Sequence, residues 1–436
     1  MMPSTTINSE KFPAGMKKPS FFTLLLRWLV HSRLRGLRSD RLVIVEGDRR
    51  WEFGDITGNA EIVARIIVHD PCCYRDVAFR GTIGAGESYM QGYWTTDNLT
   101  AVIRVLLRNR DLLNRMETGL ARISEPSHRM FHRWNRNSKP GSRRNIAAHY
   151  DLGNDFFRLW LDDSLMYSSA VFEKPTMTLE EASQTKLKLI CDKLELCPTD
   201  HLLEIGTGWG GLAIFAAREY GCRVTTTTIS REQFEFAQQR VRKENLEDCV
   251  TVLLEDYRDL TGQFSKLVSV EMLEAIGHEF VDRYFEQCSN LLRADGMMLL
   301  QTITIENDQY ERAKRSVDFI QRYIFPGGSL SSMQVLEASV ARATDLHLHH
   351  VEDIGFDYAT TLRHWRERMF SRLADVRELG YSEEFVRMWD FYFCYCEGGF
   401  IEQAIGDVQL LLAKPKSNPF VSRNAWVQPR NSQVQQ

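Results

Sequence analysis

The stretch from His201 to Ala217 (HLLEIGTGWGGLAIFAA) constrains the fold of this chain more than any other. A short apolar run with one acidic residue, Glu204, comes before a second apolar run of helix-forming residues. Four glycines separate the two runs: Gly206, Gly208, Gly210 and Gly211. The order strand, glycine turn, helix is typical of open α/β sheets, which bind nucleotides where a strand ends. Glycines also let a ligand approach the main chain, although a bare tight turn would have the same pattern.

The glycine spacing and the following strand indicate which ligand the turn binds. The pattern E-x-G-x-G-x-G differs from the dinucleotide pattern G-x-G-x-x-G, and it suits an adenosine ligand without a pyrophosphate, such as S-adenosylmethionine. In NAD proteins an acidic side chain at the end of the second strand holds the ribose, whereas this chain has threonine at Thr225–Thr228. The sequence therefore favours S-adenosylmethionine over NAD.

Strand-like and helix-like segments alternate through the second half of the chain. After the strand at the glycine turn, six more strands are predicted near residues 223–229, 251–255, 266–270, 296–305, 346–354 and 407–413. Ser230 is the predicted N-cap of the helix after the second strand. A helical insertion is predicted from Gln309 to Arg342, broken at Pro326. This alternation predicts a doubly wound, mostly parallel seven-stranded sheet with helices on both faces.

The length of 436 residues is enough for two domains. Residues 1–140 are predicted to form a smaller N-terminal α+β domain, whose strand-like part ends in a glycine-rich stretch at 81–94. Residues 141–415 form the predicted catalytic domain, with the boundary at the Lys139-Pro140-Gly141-Ser142 segment. A basic leader (1–20) and a polar tail (416–436) are predicted to be disordered.

The two halves of the chain differ in charge. Residues 1–150 carry 24 Lys and Arg against 14 Asp and Glu, while the remainder carries 30 against 44. The basic front half therefore predicts an anionic partner, either a membrane surface or a nucleic acid. Nine cysteines without a C-x-x-C pair or a His/Cys ladder argue against a metal site and favour a reducing, cytoplasmic location.

The segment Phe21–Leu37 is a candidate amphipathic helix near the start of the chain. Thr23, Arg27, His31 and Arg35 recur every four residues and form one predicted polar stripe. The apolar run within it is too short to span a bilayer, which needs about 20 residues. Such a helix either lies on an anionic bilayer or packs on its own N-terminal domain, and the sequence leaves both open.

Nine motifs, in order, resemble the cyclopropane-fatty-acyl-phospholipid synthases and the related mycolic acid methyltransferases. They are HYDLGNDFF (149–157), YSSA (167–170), LEIGTGWGG (203–211), TTISREQ (227–233), EDYRDL (255–260), VSVEMLEAIG (268–277), RYIFPGG (322–328), DYATTLRHW (357–365) and CYCEGGF (394–400). The resemblance is strong over about residues 140–415, and ESYMQGYW (87–94) extends it weakly into the front domain.

The resemblance implies a class I S-adenosylmethionine-dependent methyltransferase that acts on the cis double bond of an unsaturated phospholipid acyl chain. In that family the sulfonium methyl group is transferred to an alkene carbon, and a base then removes a proton from the new methyl group so that a cyclopropane ring closes. The family members are often dimeric, so a homodimer associated peripherally with a membrane is expected. By resemblance, the cofactor is surrounded by Tyr167, Ser168, Glu204, Gly206, Gly208, Gly210, Thr228, Gln233, Asp256 and Tyr257.

Two departures from the family pattern affect the expected base, a bound bicarbonate. The family holds this ion with a Cys, a Glu, a His, a backbone group of an Ile and a Tyr. Glu274, Ile303 and Tyr358 match three of these positions, whereas Ser169 stands at the Cys position and Gln301 at the His position. A hydroxyl and a carboxamide both donate hydrogen bonds, so the motif leaves open whether the ion is retained or lost.

Glu271 stands where the family usually has glycine, three residues before Glu274. If this segment is a helical turn, the two carboxylates face the same way and raise one pKa, which predicts that Glu271 or Glu274 takes the proton directly. A solvated surface residue is the alternative. Loss of a different proton would give a methyl- or methylene-branched chain.

Cys396 matches a functionally important cysteine of the family. In a strand, Cys394 would point to the opposite side. For both cysteines, plain packing is the alternative.

Two other classes of function are compatible with the same cofactor turn. One is a methyltransferase acting on a small molecule or on RNA, for which the basic front half would be suited. The chain has no aromatic or proline-flanked motif of the base methylases, so no nucleic-acid partner is expected. The other is a lipid-binding protein without catalytic activity, against which the intact glycine turn argues.

Overall fold

The N-terminal part of the chain is a small α+β module built on a four-stranded sheet. In a computed structural model, which describes residues 20–110, 135, 137–139, 141–142, 145 and 153–417, the sheet order is β2-β1-β3-β4. The elements are α1 (Phe21–Leu34), β1 (Arg41–Glu46), β2 (Arg49–Gly54), β3 (Val63–Val68), α2 (Cys72–Met90), β4 (Trp94–Thr95) and α3 (Leu99–Arg108). The expected α+β character of this part is confirmed.

The glycine-rich stretch at 81–94 is mostly helical, which the strand-like interpretation missed. It lies in α2, which is kinked at Gly81, where φ is +55°. The other glycines allow close packing rather than a loop. A Cβ atom on Gly86 would lie 2.5 Å from the Phe319 ring, so only glycine fits between this helix and its neighbour.

The second half of the chain is a seven-stranded sheet with helices on both faces, as predicted. The strands are β5 (His201–Ile205), β6 (Arg223–Thr228), β7 (Val250–Leu254), β8 (Phe264–Val270), β9 (Leu292–Ile305), β10 (His347–Asp353) and β11 (Ile405–Ala413). Their order is β10-β11-β9-β8-β5-β6-β7, and β11 alone runs antiparallel to its neighbours. Strands covered on both faces must be apolar along their length, and Leu202, Leu203, Leu299 and Leu300 are fully buried.

Eleven described helices accompany this sheet. They are α4 (Asn154–Arg158), α5 (Leu179–Lys193), α6 (Gly211–Tyr220), α7 (Arg231–Lys243), α8 (Val281–Leu291), α9 (Asn307–Ala313), α10 (Phe319–Tyr323), α11 (Met333–Ala343), α12 (Gly355–Ser371), α13 (Leu373–Glu378) and α14 (Glu383–Ile401). The Ser230 side chain accepts a hydrogen bond from the Gln233 amide, so the predicted N-cap of α7 is confirmed. The predicted insertion corresponds to α9, α10 and α11 and is interrupted near Pro326.

Helix α14 joins the two parts of the molecule. Its Asp390 carboxylate, which is buried, accepts hydrogen bonds from the Tyr89 hydroxyl of α2 (2.5 Å) and from Arg366 Nε of α12 (2.6 Å). Arg104 Nε of α3 donates to Glu402 just after α14 (2.6 Å). The N-terminal module is therefore fixed to the part with the seven-stranded sheet by polar contacts, and the contact between Tyr89 and Asp390 is buried.

None of the helices in the described part of the chain is long and apolar enough to cross a membrane. The predicted leader, the boundary at residue 140 and the predicted tail lie largely outside the described residues. Dimerisation and the domain limits stay predictions.

We expect Asp390→Asn to lower the free energy of unfolding by about 2–3 kcal/mol, because it leaves the buried Tyr89 hydroxyl and the half-buried Arg366 guanidinium without a charged acceptor. Urea denaturation measures this change. The control is Asp375→Asn, which removes an exposed pair with Arg372 and should cost less than about 0.5 kcal/mol. Equal effects of the two substitutions would contradict the role given to Asp390.

Candidate active site

The glycine turn after β5 borders open space, as a ligand-binding turn must. Gly206 and Gly208 have φ angles of +105° and +51°, which glycine adopts without strain. The amides of Gly206 and Thr207 both donate to the Thr227 carbonyl of β6 (3.0 Å each), which holds the turn in place. A Cβ atom built on Gly208 would meet no atom within 4 Å. The main chain here is therefore accessible to a ligand.

Glu204, near the end of β5, is a buried carboxylate next to this turn. Its Oε2 accepts a hydrogen bond from the Thr226 hydroxyl at 2.5 Å. Burial raises the pKa of Glu204 to about 8, and the bond from Thr226 only partly opposes that shift. A buried acceptor beside a glycine turn is suited to a ligand that brings its own donors, such as ribose hydroxyls.

One cavity of about 1450 Å³ brings most of the predicted cofactor residues together. The predicted residues that line it are Tyr167, Ser168, Glu204, Gly206, Gly208, Thr228, Gln233, Asp256 and Tyr257. Gly210 does not line the cavity. It precedes α6 with φ +82°, and a Cβ atom there would lie 3.2 Å from Ala237, so its role is the turn itself.

The polar residues at the far side of the glycine turn are held by their own contacts. The Thr228 hydroxyl donates to Gln233 Oε1 (2.9 Å). Arg258 contacts both carboxylate oxygens of Asp256, at 2.8 and 2.7 Å. Burial opposes ionisation of Asp256, but Arg258 outweighs it and holds the pKa below its ordinary value. Preordered acceptors of this kind fit the adenosine part of S-adenosylmethionine.

Glu271 lines a second region of the cavity, away from the glycine turn, and its carboxylate is held there by three hydrogen-bond donors. Its Oε1 accepts hydrogen bonds from the backbone amide of Ser169 (2.8 Å) and from Gln301 Nε2 (2.9 Å). Its Oε2 accepts from the Tyr358 hydroxyl (2.6 Å). Burial raises the pKa of Glu271 above its ordinary value, and the Tyr358 hydrogen bond and the charge of Lys186 oppose this shift.

The backbone of Glu271 has φ +47°, a left-handed conformation that favours glycine. The residue precedes the short 3₁₀ turn Leu273–Ala275 and is not part of it. The expectation of one helical turn that carries both carboxylates is therefore wrong in geometry. The two are still close enough for the charge of Glu271 to affect Glu274.

Glu274 Oε1 is bound by the amide of Ile303 (2.6 Å) and by the Thr302 hydroxyl (2.8 Å). Burial, with a smaller contribution from Glu271, raises the pKa of Glu274 to about 7.

A third buried carboxylate, Asp407 of β11, lies near Glu271 and Glu274 and accepts a hydrogen bond from Gln301 Nε2 (2.9 Å). Burial and the charges of Glu271 and Glu274 raise the pKa of Asp407 well above its ordinary value. Near neutral pH these carboxylates cannot all be ionised.

Cys396 lines the cavity from α14, whereas Cys394 does not. Both lie on a helix, so the strand placement was wrong, and Cys394 lies near Asp390, four residues earlier. Burial raises the pKa of the Cys396 thiol, which favours the protonated form and is compatible with the packing alternative. The aromatic residues Phe325, Tyr392, Tyr395 and Phe400 also line the cavity.

Sequence reasoning missed several residues of this region. Lys186 of α5 is fully buried and donates to the Ser168 hydroxyl (2.5 Å), and burial lowers its pKa to about 8. The signal was present, because Lys186 and Lys193 fall on the apolar stripe of α5 with Leu179, Ala182 and Ile190. Apolar side chains of the N-terminal module also line the cavity, namely Ile83, Ile103, Leu106 and Leu107. Among the described residues no His, Cys, Asp and Glu group could hold a metal ion.

The family model for mycolic acid cyclopropane synthetase matches residues 137–410. The chain belongs to the mycolic acid cyclopropane synthetase family. It is 36% identical over 417 residues to the tuberculostearic acid methyltransferase UfaA1 of Mycobacterium tuberculosis, covering 91% of this chain and 94% of the relative. It is 38% identical over 367 residues to the cyclopropane-fatty-acyl-phospholipid synthase of Escherichia coli K12, covering 83% and 90%.

A solved structure of this family supports the fold and the cofactor. The mycolic acid cyclopropane synthase CmaA1, complexed with SAH and CTAB, superposes with a TM-score of 0.57 at 33% identity, covering 62% of this chain and 98% of CmaA1. The chain is thus an S-adenosylmethionine-dependent methyltransferase with the class I fold, and it transfers methyl groups to lipid acyl chains.

The donors that the family resemblance assigned to bicarbonate do not fit that ion here. The Gln301 amide and the Tyr358 hydroxyl, together with the backbone of Ser169, already bind the Glu271 carboxylate. The Ser169 hydroxyl donates instead to the Ala170 carbonyl (2.9 Å), so it does not replace the thiol of the family as an anion donor.

We expect Glu204→Gln to change how stability depends on pH when no cofactor is present. A carboxyl group whose pKa is raised on folding contributes stability below its unfolded pKa, and this contribution is lost as the pH rises through the folded pKa. From about pH 4.5 to 8, the unfolding free energy of the unsubstituted protein should fall by on the order of 3 kcal/mol more than that of the variant.

Urea denaturation at a series of pH values measures this difference. The control is Glu219→Gln, which changes an exposed glutamate on the neighbouring α6. Parallel pH curves for Glu204→Gln and the unsubstituted protein would show that Glu204 is ordinarily ionised in the folded state.

Proposed function

We propose that this protein transfers a methyl carbon from S-adenosylmethionine to the cis double bond of an unsaturated phospholipid acyl chain, with Glu271 as the base. The observation that carries the proposal is the position of the Glu271 carboxylate. Three donors hold it at the cavity wall: the side chains of Gln301 and Tyr358 and the backbone amide of Ser169, all from residues at the anion-binding positions of the family.

The cavity is suited to the first step of such a reaction. An alkene is a weak nucleophile, so it has to be positioned against the electrophilic methyl group that bound S-adenosylmethionine supplies. The cavity has room for an acyl chain, and apolar residues from both parts of the molecule line it. The new bond to the methyl carbon leaves a cation on the neighbouring alkene carbon. The Tyr358 and Phe400 rings, stacked 4.6 Å apart, offer faces to this cation, and the apolar walls keep water from it.

The second step needs a base next to that cation. When Glu271 removes a proton from the transferred methyl group, the C–H electron pair forms the third bond of a cyclopropane ring. A pKa raised by burial matches a base that works near neutral pH. The left-handed backbone of Glu271 costs about 1 kcal/mol or more relative to glycine, which supports a functional reason for the side chain.

A methyl- or methylene-branched product is the second candidate. It is favoured by the similarity to UfaA1, which covers more of this chain than the similarity to the Escherichia coli synthase does. A hydride shift from the methyl-bearing carbon to the cation moves the charge next to the new methyl group. Loss of a proton from that group to Glu271 then gives a methylene branch. Reduction to a methyl branch would require a separate hydride donor.

The N-terminal helix packs on its own domain with one face and supports docking on a membrane with the other. Arg27 and His31 of the predicted polar stripe face the protein, whereas Arg35 at the end of the helix is exposed. His31 is buried among the Trp51, Phe53 and Tyr74 rings, which with the nearby arginines lowers its pKa to about 4, and Arg27 pairs with Glu46 (2.9 Å).

The outward face of α1 is apolar instead. Phe21, Leu25 and Trp28 are 85%, 49% and 60% exposed, and exposed arginines follow at Arg35 and Arg38. Helix α1 also contacts α2, where the Phe22 ring stacks on Phe79, and the residue after Phe79, Arg80, lines the cavity. A membrane-facing apolar helix with basic neighbours is suited to an anionic bilayer at the cytoplasmic face, from which a lipid tail can enter.

We expect Glu271→Gln to reduce product formation by about 10²–10⁴-fold, the usual contribution of a general base, while S-adenosylmethionine still binds. The substrate is a liposome that contains a cis-monounsaturated phospholipid. Ring and methylene products add the same mass, so the acyl chains are first quantified by mass spectrometry and then assigned by proton NMR, which separates ring protons from vinylidene protons.

Two further variants control this experiment. Glu286→Gln changes an exposed glutamate on α8 and should keep full activity. Glu271→Gly frees the three donors, so bicarbonate or formate should restore part of the activity. Full activity of Glu271→Gln would rule out Glu271 as the base, and products on water-soluble acceptors only would rule out the proposed substrate.

We expect Trp28→Asp to weaken binding to anionic liposomes by about tenfold or more, because burying an aromatic side chain is worth roughly 1.5–3 kcal/mol. Co-sedimentation measures the bound fraction. The control is Leu379→Asp, an exposed apolar residue outside α1. Equal binding of both variants, or a preference for RNA over liposomes, would contradict docking through α1.

A further inference from the structure

A row of buried polar side chains crosses the sheet behind Glu271. Glu352 of β10, Gln409 of β11 and Gln301 of β9 lie directly opposite one another in neighbouring strands. Lys193, near the end of α5, covers this row, and its ammonium group is almost fully buried, with the side chain 1% exposed. These residues form a continuous hydrogen-bonded path from the side of the sheet to the base.

From Lys193 to Glu271, each residue of the path donates a hydrogen bond to the next one. Lys193 Nζ donates to Glu352 Oε2 and to Gln409 Oε1, both at 2.5 Å. Gln409 Nε2 donates to Gln301 Oε1 (3.0 Å). Gln301 Nε2 then donates to Glu271 Oε1 and to Asp407 Oδ2, both at 2.9 Å.

The direction of every link follows from the lysine. An ammonium group has donors and no acceptor, so the Gln409 atom that faces it must be the carbonyl oxygen. The Gln409 amide nitrogen then faces Gln301 and requires an oxygen there. The remaining group of Gln301, its NH₂, is thereby directed at the two carboxylates. In the opposite orientation, the Gln301 oxygen would face the carboxylates of Glu271 and Asp407 and repel them.

We propose that Lys193 is a positioning residue which, through Gln409, holds the Gln301 amide with its N–H groups toward Glu271 and so keeps this carboxylate able to accept a proton. The inference rests on the proposed role of Glu271 as the base. Lys193 itself does not touch the cavity, since Gln409 and Gln301 separate it from Glu271.

Other groups also affect the charge of Glu271 and have to be held constant in a test. These are Lys186 from α5, Glu274 from the 3₁₀ turn, Tyr358 from α12 and Asp407 from β11. Lys186 favours the ionised form of Glu271, whereas Glu274 and Asp407 oppose it. The substitutions below leave all four in place.

The decisive variant is Gln409→Glu. The new carboxylate still accepts from Lys193, but it offers no donor to Gln301, so the Gln301 amide turns its NH₂ group toward it and away from Glu271. We expect the acidic limb of the kcat/KM pH profile to move up by about one to two pH units, because a hydrogen bond to an ionised carboxylate is lost. Lys193→Met, which leaves Gln409 free to turn, should move the limb in the same direction.

The control is Lys414→Met, which removes another buried lysine, bound to Ser289 (2.8 Å) and Asp345 (2.6 Å) and unconnected to the row. This variant should lower the melting temperature without shifting the acidic limb of the kcat/KM pH profile. Calorimetry with S-adenosylmethionine and thermal melting show whether each variant is folded. A folded Gln409→Glu variant with an unmoved limb would overturn the inference.

The failures of the two proposals can be told apart. Full activity of Glu271→Gln rejects Glu271 as the base. If Glu271→Gln is inactive but the acidic limb of the kcat/KM pH profile is unchanged in Gln409→Glu, only the role of Lys193 is rejected. If neither variant of the row folds, neutron diffraction from deuterated crystals of the unsubstituted protein decides. Deuterons on the Gln301 atom that faces Glu271 support the inference, and deuterons on the atom that faces Gln409 overturn it.

Discussion

A carboxylate buried beside an apolar cavity is the constraint on which the catalytic half of this molecule depends. An ionised group removed from water costs several kcal/mol unless hydrogen bonds replace its hydration. Glu271 obtains these bonds from three different parts of the chain: the loop after α4, strand β9 and helix α12. The ends of β8 and β9 and the start of α12 must therefore meet at one point, and the sheet order brings them there.

The cavity depends on the whole chain rather than on the cofactor domain alone. Helix α14 contributes Tyr392, Cys396 and Phe400 to its wall and also holds the N-terminal module through Asp390. The module in turn contributes apolar residues of α2 and α3. The N-terminal module and the part of the chain that contains the seven-stranded sheet thus share one wall of the cavity.

Local features of the fold could be predicted from the sequence, because their causes lie within a few residues. The glycine turn at Gly206, the N-cap at Ser230 and the alternation of strands and helices are of this kind. The prediction that Gly81–Trp94 ends a strand-like region was wrong, since glycines in α2 serve close helix packing that depends on a distant partner, Phe319. Which face of α1 is exposed could not be predicted for the same reason: Arg27 and His31 of the polar stripe have partners in β1 and β2, which are distant in sequence.

The candidate site was predictable in part. Motif positions identified Glu271, Gln301 and Tyr358, but only strand register and backbone geometry show that these three meet. Lys193 and Asp407 were missed because their importance arises from pairing across β9, β10 and β11, which a single sequence does not display.

A base at position 271, the residue with the left-handed backbone, would change what the enzyme requires from its surroundings. A base attached to the polypeptide cannot diffuse out between turnovers, and its local concentration does not vary with the carbon dioxide dissolved in the cell. Such a carboxyl group must, however, release the proton that it has accepted before the next acyl chain binds. With Glu271 as the proposed base, the reaction would depend on an exit route for protons instead of on a dissolved gas.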